Sequence, residues 1–262
     1  AIKKYITDFK IESIHVYSKD HRLRSYLKSL AKEISIDISF SPNSAIKIKV
    51  NGILFLKALC QGLFGLAKYC KFNFKFFSAS NKHSHWSDDK NSIFICSFFD
   101  NFKTPNTKEF YSNYWGGLHA KLNRKKIKQN WLHFYISHID TQKPIDGLQQ
   151  INDFNSINSY EHHALIESYL SYKIILKTLI KVFILFIKIL TLRSPDKFFK
   201  LRNCNSVLWD YYAEDYYSSL IGPYAIKNIV LFYCIDSAIE SLPQQKKGLY
   251  LCEDQPWEKA LI

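Results

Sequence analysis

The 262-residue sequence has no methionine, its first residue being Ala1, and only 8 glycines and 7 prolines. So few breakers, with 47% hydrophobic and 23% charged residues, exclude a disordered chain, a collagen-like repeat and a disulfide-dense scaffold. What remains is a globular protein of one to two domains, long enough to bury a sizeable core. The missing methionine leads us to expect a portion of a longer protein. The other end points the same way, since Gly248–Cys252 reads as a buried strand and Trp257–Ile262 as the first turn of a helix that stops there.

No Cys-x-x-Cys pair occurs among Cys60, Cys70, Cys96, Cys204, Cys234 and Cys252, which excludes zinc-ribbon and dithiol redox motifs. Most of these cysteines lie in apolar runs and are expected as buried, reduced thiols, as suits a cytoplasmic protein. Ala1–Lys10 lacks the apolar core of a signal peptide. Gly-x-Gly-x-x-Gly and Walker-type signatures are absent, and Gly62 and Gly65 fall within a helical stripe, so dinucleotide and P-loop chemistry are disfavoured. The close histidine pairs, His83-Ser84-His85 and His162-His163, lack the spacing that puts two imidazoles on one helix face. Glu161-His162-His163 reads as a solvated helix start; no metal site is expected and no cofactor is implied.

Positive charge is what the chain has in excess: 36 Lys+Arg against 23 Asp+Glu give +13. Such a surplus attracts nucleic acid, an acidic membrane leaflet, or charged sugars and nucleotides. No recognisable module sets basic residues among exposed aromatics, so no specific nucleic-acid partner is expected.

Along the chain, Ser13–Tyr17 reads as a strand, the turn Ser18-Lys19-Asp20 follows, and Leu23, Tyr26, Leu27 and Leu30 recur at helical spacing. Ile34–Ile38 alternates as a strand. After a Ser-Pro-Asn turn, Leu56, Leu59, Leu63, Leu66 and Cys70 form a stripe on a second helix. Beyond the polar stretch Ser78–Asn91, Ser92–Phe98 and Asn130–Ile136 are apolar enough for central parallel strands, with a helical Tyr114–Lys126 between them. Alternating strands and helices imply a parallel sheet.

From Tyr160 to Leu192 the sequence reads as one long helix. Its Lys173, Lys177, Lys181 and Lys188 fall at about 0°, 40°, 80° and 60° on a helical wheel. A transmembrane span is disfavoured because central charges are costly in hydrocarbon; a narrow lysine face suits an interfacial or partner-buried helix. Ser194-Pro195-Asp196 breaks it, and Ser218–Leu242 reads as another helix, with Gly222-Pro223 near its start.

Three stretches carry chemistry. In Leu249–Glu258 an apolar strand ends in Glu253 and Asp254, where α/β sheets form ligand crevices; these acids serve either as catalytic groups or as caps of the next helix. Trp209–Ser219 mixes aromatic rings with Asp210, Glu214 and Asp215, which suits sugar stacking or, alternatively, docking of the basic helix. Tyr111–His119 follows a strand, and its Gly116-Gly117 allows either close ligand approach or a tight turn.

In order and spacing over roughly residues 90–262, four segments resemble a family of transferases of bacterial surface carbohydrate biosynthesis. They are Tyr114-Trp115-Gly116-Gly117-Leu118, Asn130-Trp131-Leu132-His133, Glu214-Asp215-Tyr216-Tyr217-Ser218-Ser219-Leu220-x-Gly222 and Gly248-Leu249-Tyr250-Leu251-x-Glu253-x-Gln255-x-Trp257-Glu258. Asp254 stands where that family typically has Asn. The family is similar to retaining β-Kdo glycosyltransferases, whose two Rossmann-like domains face a cleft in the GT-B arrangement. The resemblance therefore implies an α/β fold, a Rossmann-like parallel sheet with flanking helices, forming the N-terminal, acceptor-side half of a GT-B-like enzyme. The expected segmentation is a Rossmann-like α/β region at 1–157, a long basic amphipathic helical insertion at 158–200, and a return to the α/β domain at 201–262.

By the same resemblance a carboxylate nucleophile makes Glu253 and Asp215 the catalytic candidates. Tyr114, Trp115, Gly116, Glu214, Tyr216, Gln255, Trp257 and Glu258 become the substrate-binding ones. The implied partners are a nucleotide-sugar donor, CMP-linked by analogy, and a glycan acceptor. A carboxylate near the anomeric carbon suits the oxocarbenium-like state of sugar transfer. The expected location is cytoplasmic and peripheral on the inner membrane face, with Lys173, Lys177, Lys181 and Lys188 on acidic lipid. The competing expectation is a non-catalytic, membrane-associated polysaccharide assembly protein.

Overall fold

The computed structural model of the chain describes residues 12–16, 21–40, 51–74, 86–99, 110–136, 143–191 and 209–262. The turns at Ser18-Lys19-Asp20 and Ser41-Pro42-Asn43, the His83-Ser84-His85 pair, the Ser194-Pro195-Asp196 break and Cys204 lie outside these residues. In chain order the elements are β1 (Ser13–Val16), α1 (His21–Ile34), β2 (Asp37–Phe40), α2 (Asn51–Phe72), β3 (Ile93–Phe99), α3 (Leu118–Arg124) and β4 (Gln129–Tyr135). Then follow α4 (Pro144–Ile157), β5 (Glu161–Leu165), a short 3-10 turn (Ile166–Tyr169), α5 (Tyr172–Thr191), α6 (Trp209–Ile221), α7 (Pro223–Glu240), β6 (Lys247–Tyr250) and a second 3-10 turn (Pro256–Ala260). The fold is mixed α/β with parallel sheets. Two compact units divide it, one drawn from Ala1–Phe64 and Phe183–Ala225, the other from Gly65–Val182 and Ile226–Ile262.

In the first unit β1 and β2 pair in parallel, Ser13 opposite Asp37, with α1 between them in the chain. Helix α1 ends where Ser35 takes a left-handed φ of 54° and the Ile36 N–H reaches back to the Ala31 carbonyl at 3.0 Å. The strand expected at Ile34–Ile38 thus begins only at Asp37. Phe55 of α2 stacks on Phe186 at 5.3 Å and meets Tyr217 edge-on at 5.8 Å. The buried stripe of α2 is Phe55, Ala58, Gly62 and Leu66, whereas Leu56 and Leu63 of the expected stripe are exposed. Both registers are apolar, so helical spacing alone does not select the inward one.

The second unit is built on four parallel strands in the order β5-β4-β3-β6. Strands β3 and β4 are buried on both faces, which is why each reads as a nearly continuous apolar run. One face carries Ile95, Phe99, Trp131 and Leu165 against Phe110, Ile151 and Phe154. From β3 the chain winds outward to β4 and β5, then returns to place β6 on the other side of β3. The sense of winding therefore reverses between β3 and β6.

Two expected helices prove to be composite. The pattern from Tyr160 to Leu192 opens with β5, paired Gln129 to Glu161 and His133 to Leu165, and α5 starts only at Tyr172, where the Ser171 hydroxyl accepts the Ile174 N–H. With no Gly or Pro in the stretch, hydropathy marked no break. The Trp209–Ser219 cluster, expected ahead of a helix, is itself helical as α6, and α7 begins anew at Pro223. Gly222 separates them: a Cβ there would sit 2.6 Å from the Ser218 carbonyl oxygen and 2.7 Å from its Cα. Gly222→Ala is accordingly expected to cost about 1–3 kcal/mol by forcing that junction apart, seen as a lower urea midpoint. An unchanged midpoint would show that the junction yields freely.

Cysteine burial also departs from expectation. Cys96 and Cys234 are buried and Cys70 half-buried, but Cys60 and Cys252 are exposed. Burial pushes the Cys96 thiol up to about 12, so it is a small apolar side chain in practice and not a nucleophile.

Candidate functional site

The carboxyl ends of parallel strands, at the point where winding reverses, are where open α/β sheets leave a crevice. Here that point lies between β3 and β6. The Leu251 N–H still donates to the Cys96 carbonyl at 3.3 Å, and two residues later Glu253 stands exposed at the end of β6. The loop that presents it is held from below by Glu258, whose carboxylate accepts the Glu253 N–H at 2.7 Å and the Gln255 N–H at 2.9 Å. Those two donors, Gln255 foremost, hold the Glu258 carboxyl below the usual carboxylate range. Glu258 thus shapes the loop instead of facing outward. Asp254 takes a left-handed φ of 56°, a conformation that Asn and Asp adopt more readily than other side chains, which accounts for an Asn-like residue at this position. Gln255 is exposed, its amide directed at the Glu253 carbonyl at 3.4 Å.

Trp257 is only 6% exposed and packs on Phe134 at 4.2 Å, anchoring the loop to the sheet. From there rings continue: Phe134 to Phe98 at 5.5 Å, and Phe98 to Tyr114 at 5.6 Å. Two stretches singled out from sequence, Tyr114–Gly117 and Glu253–Glu258, are therefore joined through Phe98 and Phe134 at one end of the sheet. Tyr114 is 51% exposed there. Trp115 turns to the opposite side, half-buried against the aromatic core, with its indole N–H buried and without a hydrogen-bond partner. Gly116, at φ 51°, closes the turn by bridging to Ser112. A Cβ at Gly116 would meet nothing within 4 Å, so the turn conformation explains this glycine.

Glu214, Asp215 and Tyr216 belong to the first unit, on α6. Glu214 pairs with the Lys57 ammonium at 2.7 Å, Asp215 is exposed, and Tyr216 sets its ring edge-on to Trp209 at 5.3 Å and to Tyr217 at 5.4 Å. Lys173, Lys177, Lys181 and Lys188 are all exposed along α5.

A polar row that runs from the amino ends of β4 and β5 into the interior of the sheet escaped the sequence reading. His133 Nε2 lies 3.0 Å from His163 Nδ1, and His163 Nε2 lies 3.3 Å from a Glu161 oxygen. The other Glu161 oxygen accepts from Asn123, whose own oxygen accepts the Gln129 amide at 2.7 Å. Trp131 stacks nearly flat on His133 at 5.7 Å, and Phe110 leans on His163 at 4.6 Å. Burial is the main cause holding both imidazoles below their ordinary value, His163 at about 3 and His133 well below it. Both are therefore neutral at pH 7, and one ring N–H of the pair donates to the other. Burial likewise raises the Glu161 carboxyl. The signal was present as a two-residue alternation, Gln129-x-Trp131-x-His133 facing Glu161-x-His163-x-Leu165, but a helical reading of Tyr160 onward hid it.

Beside Glu161 opens a cleft of about 390 Å³ lined by Phe110, His119, Asn123, Arg124, Phe154 and Glu161. It sits at the amino ends of the strands, across the sheet from Glu253. At the carboxyl end of β5, Glu167 is buried near Tyr69, Cys234 and Lys227, and burial pushes its carboxyl up to about 7. Among the described residues no group of three or more His, Cys, Asp or Glu side chains is placed to hold a metal ion. Among the described residues singled out from sequence, Glu253 and Tyr114 are exposed at the carboxyl end of the parallel sheet. Compared with family models, curated proteins and solved structures, the chain matches none.

Proposed function

We propose that the chain is the acceptor-side, N-terminal half of a GT-B-like glycosyltransferase that builds bacterial surface polysaccharide. Its donor is a nucleotide-activated sugar, CMP-linked and Kdo-like, and its place of work is the cytoplasmic face of the membrane. The observation that carries the reading is the exposed Glu253 at the β3/β6 reversal, on a loop whose Trp257 is linked to Tyr114 through the Phe134 and Phe98 rings. The four sequence segments that resemble surface-carbohydrate transferases add to it, and two of them meet at this end of the sheet.

In this reading a Glu253 oxygen attacks the anomeric carbon as the nucleotide phosphate departs with the bonding electron pair. An acceptor hydroxyl then displaces the carboxylate and gives up its proton. Tyr114 stacks the acceptor ring. Glu258 and Trp257 keep the loop in place, and Asp215 remains the alternative carboxylate.

The test is release of CMP from a CMP-linked sugar in the presence of a surface-glycan acceptor, with the enzyme carrying both halves. Glu253→Gln is expected to lower turnover about a hundredfold or more, and Tyr114→Ala to raise the acceptor KM with little change in kcat. Full turnover by Glu253→Gln together with loss in Asp215→Asn would transfer the role to Asp215. Full turnover by both variants would sink the reading.

A further inference from the structure

Helix α5 carries lysines at 173, 177, 181 and 188 and not one acidic residue. At about 100° per residue its circumference divides into three sectors. Ile174, Thr178 and Val182 fill one and are buried, so the protein covers that side. The lysines lie in the next, with the exposed Ile184 among them. The third, about 100° wide, holds Leu176, Leu179, Ile180, Phe183, Ile187 and Leu190, and all six are exposed, Phe183 by 63% and Leu190 by 61%. Large apolar side chains scattered singly are ordinary on a soluble surface, but six in one row are a docking face.

The lysines choose the occupant. They lie between the covered sector and the apolar one, at the height where headgroups would meet a helix half sunk in lipid, and their aliphatic stems can follow the apolar row while the ammonium groups reach phosphate. Lys177 is held over the Tyr233 ring, 5.6 Å from its centroid. With no acid on the helix, its charge complements an anionic surface. A spanning orientation is excluded, because one sector is covered by protein and Lys177 and Lys181 sit in mid-helix.

We propose that α5 lies in the plane of an anionic bilayer with its Leu176–Leu190 row inserted among the acyl chains and its lysines at the headgroups. This goes beyond simple electrostatic adsorption through the lysines, and it stands whether or not the chain transfers sugar. Flotation of the full chain with vesicles of equal parts phosphatidylcholine and phosphatidylserine tests it, phosphatidylcholine alone being the reference.

Wild-type protein is expected to float with the acidic vesicles. Phe183→Glu with Ile187→Glu should weaken partitioning about a hundredfold, and Lys177→Gln with Lys181→Gln about twenty-fivefold, with about half of the salt dependence lost. A milder variant, Phe183→Trp, keeps the row apolar; its fluorescence should shift to the blue on vesicle binding and be quenched by brominated acyl chains. Partitioning that ignores the apolar pair but follows the lysines would reduce the contact to surface charge and overturn insertion. A dimer in solution that Phe183→Glu converts to monomer, with no vesicle binding by either form, would assign the row to a second copy instead.

Discussion

Replacing Glu167 by Gln should make folding more sensitive to acid. Between pH 7 and pH 5 the variant is expected to lose about 2 kcal/mol of stability relative to the wild-type protein. The two contributions have opposite signs. His133 and His163 stay neutral in the fold but titrate near 6.5 when unfolded, so below that pH the unfolded chain binds more protons and acidification destabilises. Glu167 works the other way. Its folded carboxyl titrates at about 7 against 4.5 unfolded, so in this window the native state holds a proton that the unfolded state has released, and acidification stabilises. Glutamine deletes the second contribution and leaves the first. Glu161, also raised by burial, is common to both proteins and drops out of the comparison. Urea unfolding at pH 5, 6 and 7 reads the difference directly. Parallel pH profiles would mean that Glu167 ionises in the fold as it does in the open chain.

The same groups mark how far the sequence could be read. Strands β3 and β4 were legible because a strand buried on both faces needs an unbroken apolar run, and such a run bounded by polar residues has few other uses. Helix α1 was legible from Leu23, Tyr26, Leu27 and Leu30. Strand β6 was legible in place but not in extent or burial: expected as buried over Gly248–Cys252, it spans Lys247–Tyr250 and is only partly covered. Strand β5 was not legible, because a five-residue edge strand joined to a long apolar helix by Ile166–Tyr169 carries no glycine or proline and hydropathy runs on across the joint. What identified it was pairing: Trp131 opposite His163 needs β4 to be in place first. The inward face of α2 was hidden for a related reason, since Phe55 and Leu56 are both apolar and only Phe186 and Tyr217 select between them.

Of the candidate site, the positions were legible and several of the roles were not. Glu258 looked like a ligand-facing acid, but the loop's own N–H groups occupy it. Trp257 stood among the substrate-binding candidates, and Phe134 takes its ring. Composition supplies residue types; which of their atoms are already engaged depends on backbone geometry that no pattern of spacing records. Glu253 and Tyr114, exposed in the fold, keep the capacity the sequence suggested.

His163→Leu should cost about 1–3 kcal/mol, because His133 Nε2, on a fully buried ring, loses its partner and a Glu161 oxygen loses the imidazole beside it. Adding His133→Leu removes one of the stranded groups along with its burial penalty. The double variant is therefore expected to be less destabilised than the sum of the two single ones, by about 1 kcal/mol or more. Its pH profile decides the matter more sharply. Without either imidazole the contribution that opposed Glu167 disappears, and stability should shift upward from pH 7 to pH 5 relative to the wild type. Such a shift identifies the buried pair as a source of acid lability; an unchanged profile would place it in the exposed carboxylates. Neither variant changes a residue of α5, so neither should alter vesicle partitioning by that helix, which separates a loss of fold stability from a loss of the docking face.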